Sequence, residues 1–170
     1  MIRLRAIDRP PAGYFFAHGA YARTRVIEAG ALIKLPDDIS SEEAAGLLAK
    51  GLTAWALHKR VHPVSPGETV VVQGASGGVG SLVARWAKSI GARVIATVGS
   101  ASKISTVKRW GLDHVLHIAK PRLAEQIRAL TAGVGADVVY DLWGDRRSIP
   151  PSRRCARAVF WSMPATHPER

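Results

Sequence analysis

The sequence predicts an α/β fold built on a parallel β-sheet, and two observations support this prediction. The first is an alternation of strand-like and helix-like segments, with short apolar runs at residues 69–72, 93–98, 114–118 and 137–141 and amphipathic stretches between them. The second is a glycine-rich turn that lies directly between the first of these strands and the helix after it. Strands and helices that alternate at this spacing form right-handed crossovers, which cover both faces of a parallel sheet.

The segment at residues 69–90 is the centre of the predicted fold. Its strand leads into the turn Gly74-Ala75-Ser76-Gly77-Gly78-Val79-Gly80, and a helix follows. That helix has one apolar face, formed by residues at i, i+3, i+4, i+7 and i+11: Val79, Leu82, Val83, Trp86 and Ile90. In a dinucleotide fingerprint, glycines bring the backbone close to a pyrophosphate, which the helix N-terminus binds through its free N–H groups. The sequence therefore predicts a Rossmann-like, doubly wound sheet with a nucleotide site.

Five consecutive residues are the predicted N–H donors to the pyrophosphate: Gly77, Gly78, Val79, Gly80 and Ser81. The spacing here is Ala75-x-Gly77-x-x-Gly80, so alanine replaces the first glycine of the G-x-G-x-x-G pattern. The alternative interpretation is that these glycines only let the helix pack tightly on the strand, with no ligand bound.

The end of the second strand predicts which dinucleotide is bound. NAD sites place an acidic side chain there to hold the ribose 2′-hydroxyl, about 20 residues beyond the fingerprint. This chain has Gly99-Ser100-Ala101-Ser102-Lys103 instead. Because no carboxylate repels it, a 2′-phosphate can contact Ser100 and Lys103, and we predict NADPH as the cofactor. The alternative is that Lys103 is an ordinary exposed lysine.

The net charge of +11 on 170 residues raises the question of nucleic-acid binding. The excess lies at the two ends, with a net charge of +3 in residues 1–30 and of +4 in residues 145–170, against +4 in the central 114 residues. A nucleic-acid-binding protein usually clusters its basic residues on a recognisable motif or face. No such motif is present, and nucleic acid is not a predicted partner.

Composition also argues against several other classes of protein. The single Cys155 excludes an intramolecular disulfide and a multi-cysteine zinc site, and it favours a reducing, cytoplasmic setting. The longest apolar runs are strand-sized, so we expect neither a membrane span nor a secretion signal. His58 and His62 have the spacing of a metal-binding pair on a helix, but no third ligand is apparent and no metal is predicted.

The chain is predicted to divide into four segments. Their boundaries fall at prolines, at changes in composition and at the end of the last predicted strand. They are a short leading segment, a pair of connecting helices, the nucleotide-binding segment and an irregular, basic tail: residues 1–35, 36–66, 67–144 and 145–170.

The segments before the glycine turn contain a predicted strand and two predicted helices. In the leading segment, residues 19–27 alternate as in a short strand. Ser40 and Glu43 have the spacing of a capping box, which predicts the start of the first connecting helix. The stretch at residues 50–53 is predicted to break that helix and begin a second one, which ends before Pro63.

Several motifs between residues 19 and 144 occur together in one enzyme family. They are GAYA at 19–22, LIKLPDDIS at 32–40, AKGLTAW at 49–55, GASGGVG at 74–80, WAKSIGARVIATVGS at 86–100 and GADVVYDLWG at 135–144. In order and spacing, this stretch resembles the zinc-independent quinone oxidoreductases of the medium-chain dehydrogenase/reductase superfamily, the ζ-crystallin-like group.

The resemblance implies an oxidoreductase that transfers a hydride from NADPH to a small-molecule quinone or enone. It implies that Thr53 lies near the nicotinamide and that Lys103 matches a lysine of the NADPH-binding members. Ile118 matches an aromatic or histidine cofactor contact, which His117 could replace by a one-residue slip. No catalytic acid or base is identified. For Thr53, the alternative is a residue at a helix N-terminus that satisfies backbone N–H groups.

The resemblance also implies that much of the usual protein is absent from this chain. Family members are about twice as long, and residues 1–35 match only the last part of their GroES-like catalytic domain. The later strands, through which family members form homodimers, are expected to be missing. We therefore expect a fragment with impaired activity, or alternatively a non-catalytic remnant that binds nucleotide.

The tail at residues 145–170 departs from the family pattern. The family's next strand carries a pattern like Leu-Val-x-x-Gly-Asn-x-Ser, and a shifted reading frame across residues 160–168 permits a similar one. We interpret the tail as the product of a frameshift, and sequencing the parent DNA would reject this if the alternative frame lacked the pattern.

Overall fold

The structure is a computed structural model, which describes residues 3–7, 24–118, 123–142 and 157–160. The chain divides into two units, Met1–Ala45 and Gly46–Arg170. In the first unit, strands β1 (Arg3–Ile7) and β2 (Thr24–Glu28) pair in parallel. The predicted strand at 19–27 is thus observed from Thr24 onwards, and residues 19–23 lie outside the described residues.

The capping box of the first unit forms as predicted. The Ser40 N–H donates to Glu43 Oε2 at 3.0 Å, and the Glu43 N–H donates back to Ser40 Oγ at 3.2 Å. These reciprocal bonds satisfy two of the N–H groups that a helix start leaves unpaired. The bonds from the backbone N–H and the hydroxyl of Ser40 also lower the pKa of Glu43. Helix α1 (Ser41–Ala56) begins at this box.

A parallel sheet of five strands is the centre of the second unit. Its order is β5-β4-β3-β6-β7, and every pair of neighbours is parallel. The strands are β3 (Thr69–Val72), β4 (Arg93–Val98), β5 (His114–His117), β6 (Val138–Asp141) and β7 (Arg157–Phe160). Because β4 and β6 lie on opposite sides of β3, the strand order reverses there, at the point where ligands bind in such sheets. The predicted α/β fold with a Rossmann-like parallel sheet is confirmed.

Three helices follow strands of this sheet. They are α2 (Gly78–Ile90), α3 (Ile104–Lys108) and α4 (Leu123–Leu130). Val70 and Val72 of β3 belong to the larger core cluster, together with Val83 of α2, whereas Val71 belongs to a second cluster with Ile127 of α4. Both faces of β3 are therefore buried, which explains why its sequence is a continuous apolar run.

The amino-terminal edge of the sheet is held by carboxylates from neighbouring loops. The Thr69 N–H at the start of β3 donates to Asp137 Oδ2 at 2.7 Å. The Val94 N–H donates to Asp113 Oδ2 at 2.8 Å, and Lys88 of α2 binds the other oxygen of the same carboxylate at 2.8 Å. These bonds satisfy strand-end N–H groups that the ladder leaves unpaired.

The structure differs from the predicted arrangement of the connecting helices. Residues 50–53 do not break the helix, because α1 is continuous from Ser41 to Ala56 and passes into a π-helical turn, Leu57–Val61. No atom lies within 4 Å of the position that a Cβ on Gly51 would occupy, so no neighbouring group requires a glycine there. A single glycine in a helix costs only about 1 kcal/mol relative to alanine, so it weakens α1 without ending it.

Two other elements differ from the sequence predictions. The helix predicted after β4 is a 3₁₀ turn, Ala101–Lys103, followed by the short α3. The tail, predicted to be irregular, contains β7, which pairs in parallel with β6 from Val138 to Asp141. The four residues of β7 are too few to show the alternation that identifies a strand in a sequence. Pairing with β6 gives hydrogen-bond partners to backbone N–H and C=O groups of β7.

The π-helical turn is attached to the core by a histidine and a tyrosine. His58 is 1% exposed, and its Nε2 lies 3.0 Å from Val83 O of α2. Since a carbonyl only accepts, Nε2 carries the proton, and Nδ1 faces the hydroxyl of Tyr140 at 3.4 Å. The His58 ring also lies 5.3 Å from the ring of Trp86, centroid to centroid. One side chain thus joins the turn to α2 and to β6.

Burial sets the protonation of this cluster. Desolvation lowers the pKa of His58, the bond to Val83 O opposes that shift in part, and the charges of Lys59 and His62 add to the lowering. Desolvation raises the pKa of the Tyr140 phenol. His58 is therefore neutral in the folded chain at neutral pH.

The free energy of unfolding is expected to fall as the pH drops below about 6.5, the ordinary pKa of histidine. Above that pH, His58 is neutral in both the folded and the unfolded chain, and its burial does not make the free energy of unfolding depend on pH. Below it the unfolded chain takes up the proton first, because the folded-state pKa is lower, and stability falls with falling pH. Urea unfolding followed by tryptophan fluorescence at pH 7.5 and 5.5 measures this loss.

The matched variants are His58→Gln and His114→Gln. His58→Gln is expected to lower stability at pH 7.5 by about 1–3 kcal/mol but to flatten the dependence between the two pH values. His114→Gln, which changes a side chain bound only to Arg93 within the described residues, should keep the wild-type dependence. An unchanged slope in His58→Gln would contradict the assignment.

Candidate functional site

The glycine turn connects the carboxyl end of β3 to the N-terminus of α2. Gly74 has a φ of +66°, which suits glycine, and Gly77 is the N-cap of α2 with extended backbone. The Ala75 N–H donates to Thr97 O at 2.9 Å, which attaches the turn to the end of β4. The turn therefore lies at the point where the strand order reverses.

Gly80 is fixed by a close approach between backbone segments. A Cβ at this position would lie 2.4 Å from Gly74 O and 3.1 Å from Ala75 Cα. A Cβ on Gly77 would be tight as well, 3.2 Å from Gly74 O. The first turn of α2 thus rests directly on the backbone of the loop, which is the geometry that a dinucleotide fingerprint requires of its glycines.

Not all five predicted N–H donors are free. The Gly77 N–H donates to Gly74 O at 2.9 Å, and the Ser81 N–H donates to Gly77 O at 2.9 Å. In this respect the prediction for Gly77 and Ser81 is wrong: the turn is so tight that it uses these two donors itself. The N–H groups of Gly78, Val79 and Gly80 make no hydrogen bond within the described residues.

Three free N–H groups at a helix N-terminus attract negative charge. They point from the positive end of the α2 dipole, and the first turn of α2 has no acidic residue. The residues present therefore fit the pyrophosphate of a dinucleotide, which would accept hydrogen bonds from the N–H groups of Gly78, Val79 and Gly80.

The predicted 2′-phosphate residues lie at the same edge of the sheet, after the neighbouring strand β4. Ser100 precedes the 3₁₀ turn, and its Oγ lies 2.7 Å from Ser102 Oγ. The Lys103 N–H donates to Ser100 O at 3.1 Å, which closes the turn, while its side chain is exposed. Gly99 is exposed too. The fold thus places the turn after β4 next to the turn after β3.

His117 contacts the turn after β4 through its side chain, whereas the hydrogen bond of Ile118 to this region comes from its backbone. His117 Nε2 donates to Gly99 O at 3.3 Å, and the Ile118 N–H donates to Val98 O at 2.9 Å. Both residues therefore secure the end of β5 against the end of β4. Of these two residues, His117 is the one whose polar side chain lies beside the turn at Gly99.

Thr53 is inside α1, not at a helix N-terminus. Its Oγ1 donates to Ala49 O at 2.9 Å, one turn earlier in the helix. The alternative role, a hydroxyl that satisfies the N–H groups of a helix start, is therefore wrong. The side chain is half-buried.

Lys50, one turn before Thr53, contacts the glycine turn and was not predicted from the sequence. Its Cδ and Cε would lie 2.8 Å and 2.9 Å from a Cβ on Gly78. A lysine on a helix has no sequence pattern that distinguishes it from a solvent-exposed one, so no signal in the sequence could have found it.

Buried polar side chains form a row under the carboxyl edge, on the face of the sheet that α4 covers. Gln73 follows β3, Thr97 is the penultimate residue of β4 and Asp141 ends β6, and all three alternate with apolar residues of the larger core cluster. Thr97 Oγ1 has no hydrogen-bond partner within the described residues.

His58 and His62 do not form a metal site. His58 binds Val83 O, and His62 Nε2 binds Glu68 Oε2 at 3.0 Å. In the described part of the chain, no three His, Cys, Asp or Glu side chains are grouped so that they could hold a metal ion. In the same ranges, no helix is both long and apolar enough to cross a membrane.

Comparison with known proteins gives consistent relatives. Residues 78–158 match the family of zinc-binding dehydrogenases. The chain is 38% identical over 141 residues to 2-haloacrylate reductase of a Burkholderia species, which covers 82% of this chain and 42% of that protein. It is 37% identical over 128 residues to quinone oxidoreductase 1 of Escherichia coli, which covers 75% of this chain and 39% of that protein.

Solved structures agree with the sequence relatives. Quinone oxidoreductase of Pseudomonas syringae has a TM-score of 0.64 at 39% identity, over 67% of this chain and 35% of that one. Quinone oxidoreductase of Escherichia coli, solved in complex with NADPH, has a TM-score of 0.62 at 37% identity, over 65% of this chain and 34% of that one. The chain spans about two fifths of the length of these curated relatives.

Substitutions of Gly80 and Gly78 by alanine are expected to differ in their effect on stability. Gly80→Ala places a Cβ against the backbone of Gly74, which cannot move aside, and should cost about 2–3 kcal/mol. Gly78→Ala meets only the flexible side chain of Lys50 and should change stability by less than about 1 kcal/mol. Urea midpoints of the two variants measure the difference, and equal midpoints would contradict the close approach at Gly80.

Proposed function

The chain is homologous to part of the quinone oxidoreductases of the medium-chain dehydrogenase/reductase superfamily, and we propose that it binds NADPH at the carboxyl edge of its parallel sheet. The observation that supports this most directly is the set of free N–H groups at Gly78, Val79 and Gly80. They lie at the reversal of strand order, where a glycine loop approaches the first turn of α2.

The choice of NADPH over NADH is supported by the turn after β4. Gly99, Ser100 and Lys103 present no carboxylate that would repel a 2′-phosphate, and Lys103 presents an exposed cation. The N–H and hydroxyl groups of Ser100 and Ser102 lie in the same turn as neutral donors. We therefore assign Ser100 and Lys103 to the 2′-phosphate, with Gly99 allowing its approach.

The proposed reaction is reduction of a quinone or an enone, and bound NADPH supplies the hydride. The residues of this chain contribute binding and orientation. Gly78, Val79 and Gly80 hold the pyrophosphate. Thr53 is proposed to lie near the nicotinamide, where its hydroxyl oxygen can accept a hydrogen bond from the carboxamide while its proton is donated to Ala49 O. We place this activity in the cytoplasm, which the single Cys155 favours.

Titration with NADPH and NADH tests the cofactor assignment. We expect saturable quenching of tryptophan fluorescence by NADPH, and about tenfold weaker binding of NADPH by Lys103→Met with the affinity for NADH unchanged, because the variant loses a charge-assisted contact to the 2′-phosphate. Lys108→Met, at the end of α3, is the matched control and should bind both as the wild type does. Equal loss of both cofactors in Lys103→Met would refute the 2′-phosphate assignment.

Oxidation of NADPH in the presence of 1,4-benzoquinone tests the reaction. A quinone-dependent loss of the absorbance of reduced nicotinamide would support catalysis by this chain. Tight binding of NADPH without turnover would instead support the alternative function, a non-catalytic nucleotide-binding protein.

A further inference from the structure

Lys50 of α1 covers the start of the anion-binding turn. A Cβ on Gly78 would lie within 2.8 Å of Lys50 Cδ and 2.9 Å of Cε, so the aliphatic part of the lysine lies directly over the Cα of Gly78. Its Nζ donates to Gly46 O at 3.0 Å, one turn earlier in α1. The side chain is exposed, and within the described residues this neutral carbonyl is the sole hydrogen-bond partner of the ammonium.

The aliphatic part of this lysine lies beside the first residue of α2, Gly78. A cation near a helix N-terminus is repelled by the positive end of the helix dipole. The first turn of α2 has no acidic side chain, and Gly78 carries the first of the three free N–H groups. An anion bound to those N–H groups would reverse the sign of the interaction, because it attracts both the dipole and the ammonium.

The reach of the side chain allows this contact without movement of the backbone. Nζ is one bond beyond Cε, and Cε already lies beside Gly78. Rotation about the last bonds of the side chain would exchange the bond to Gly46 O for one to an anion over Gly78. A lysine that remains exposed loses little hydration in such an exchange.

We propose that Lys50 is a second cation of the nucleotide site, whose ammonium leaves Gly46 O and binds the pyrophosphate that NADPH and NADH share. This inference rests on the proposed function, since it needs a dinucleotide at the glycine turn. It assigns the two lysines to different groups of the cofactor: Lys50 to the pyrophosphate, which sets affinity for both dinucleotides, and Lys103 to the 2′-phosphate, which sets the preference between them.

Affinities of Lys50→Met for NADPH and NADH, measured by tryptophan fluorescence, test the proposal. The variant keeps an aliphatic side chain of similar length over Gly78 and loses only the charge. We expect both affinities to fall by the same factor, about tenfold, as for loss of one charge-assisted hydrogen bond. Inorganic diphosphate should displace NADH from the wild type at a lower concentration than from Lys50→Met.

Three further variants separate a binding role from a structural one. Lys59→Met removes an exposed lysine of the π-helical turn and should leave both affinities unchanged. Lys50→Arg should restore both to within about threefold of the wild type, because the charge returns. Lys50→Gln repeats the test with a polar side chain, should Lys50→Met fold poorly, and thermal unfolding without cofactor identifies any loss that comes from stability alone.

The outcomes distinguish the proposal from the function on which it rests. Wild-type affinity of Lys50→Met for both dinucleotides would overturn the role of Lys50 and leave NADPH binding intact. Weaker binding of NADPH alone would overturn the assignment to the pyrophosphate. A wild-type chain that binds neither dinucleotide would overturn the proposed function and this inference with it.

Discussion

The contact between the first turn of α2 and the loop after β3 is the constraint on which the candidate site depends. Gly80 approaches Gly74 O so closely that no other residue fits without a shift of the backbone. This approach directs the axis of α2 back over β3, and it buries Val83 against the sheet. The same approach leaves the N–H groups of Gly78 and Val79 without partners. The packing of α2 and the unpartnered N–H groups at its start thus both depend on the missing Cβ of Gly80.

The two edges of the sheet serve different purposes. At the amino edge, Asp137 accepts a hydrogen bond from the first N–H group of β3, and Asp113 accepts one from the second N–H group of β4. At the carboxyl edge, the glycine turn and the turn at Gly99–Lys103 carry no acidic side chain and keep donors and a cation exposed. These two turns therefore attract phosphates, whereas the carboxylate that ends β6 at the same edge, Asp141, is buried.

What could be predicted from the sequence is local. The Ser40 capping box and the glycine turn are defined by residues a few positions apart, whose chemistry dictates one conformation. Gly51, by contrast, predicts a break, but a glycine only weakens a helix and α1 continues through it. The contact of Tyr140 with His58 joins residues 82 apart in sequence, and Lys50 meets the glycine turn only after folding. Such contacts have no periodicity or spacing to indicate them.

Tyr140 holds the π-helical turn with one proton that three acceptors share. Its hydroxyl lies 3.3 Å from Leu57 O and 3.4 Å from both His62 O and His58 Nδ1, so no single acceptor is favoured by distance. Three equivalent arrangements would add about 0.7 kcal/mol of entropy to the native state. The phenol of Tyr140 thereby attaches the π-helical turn to β6, and no single hydrogen bond fixes the orientation of its hydroxyl.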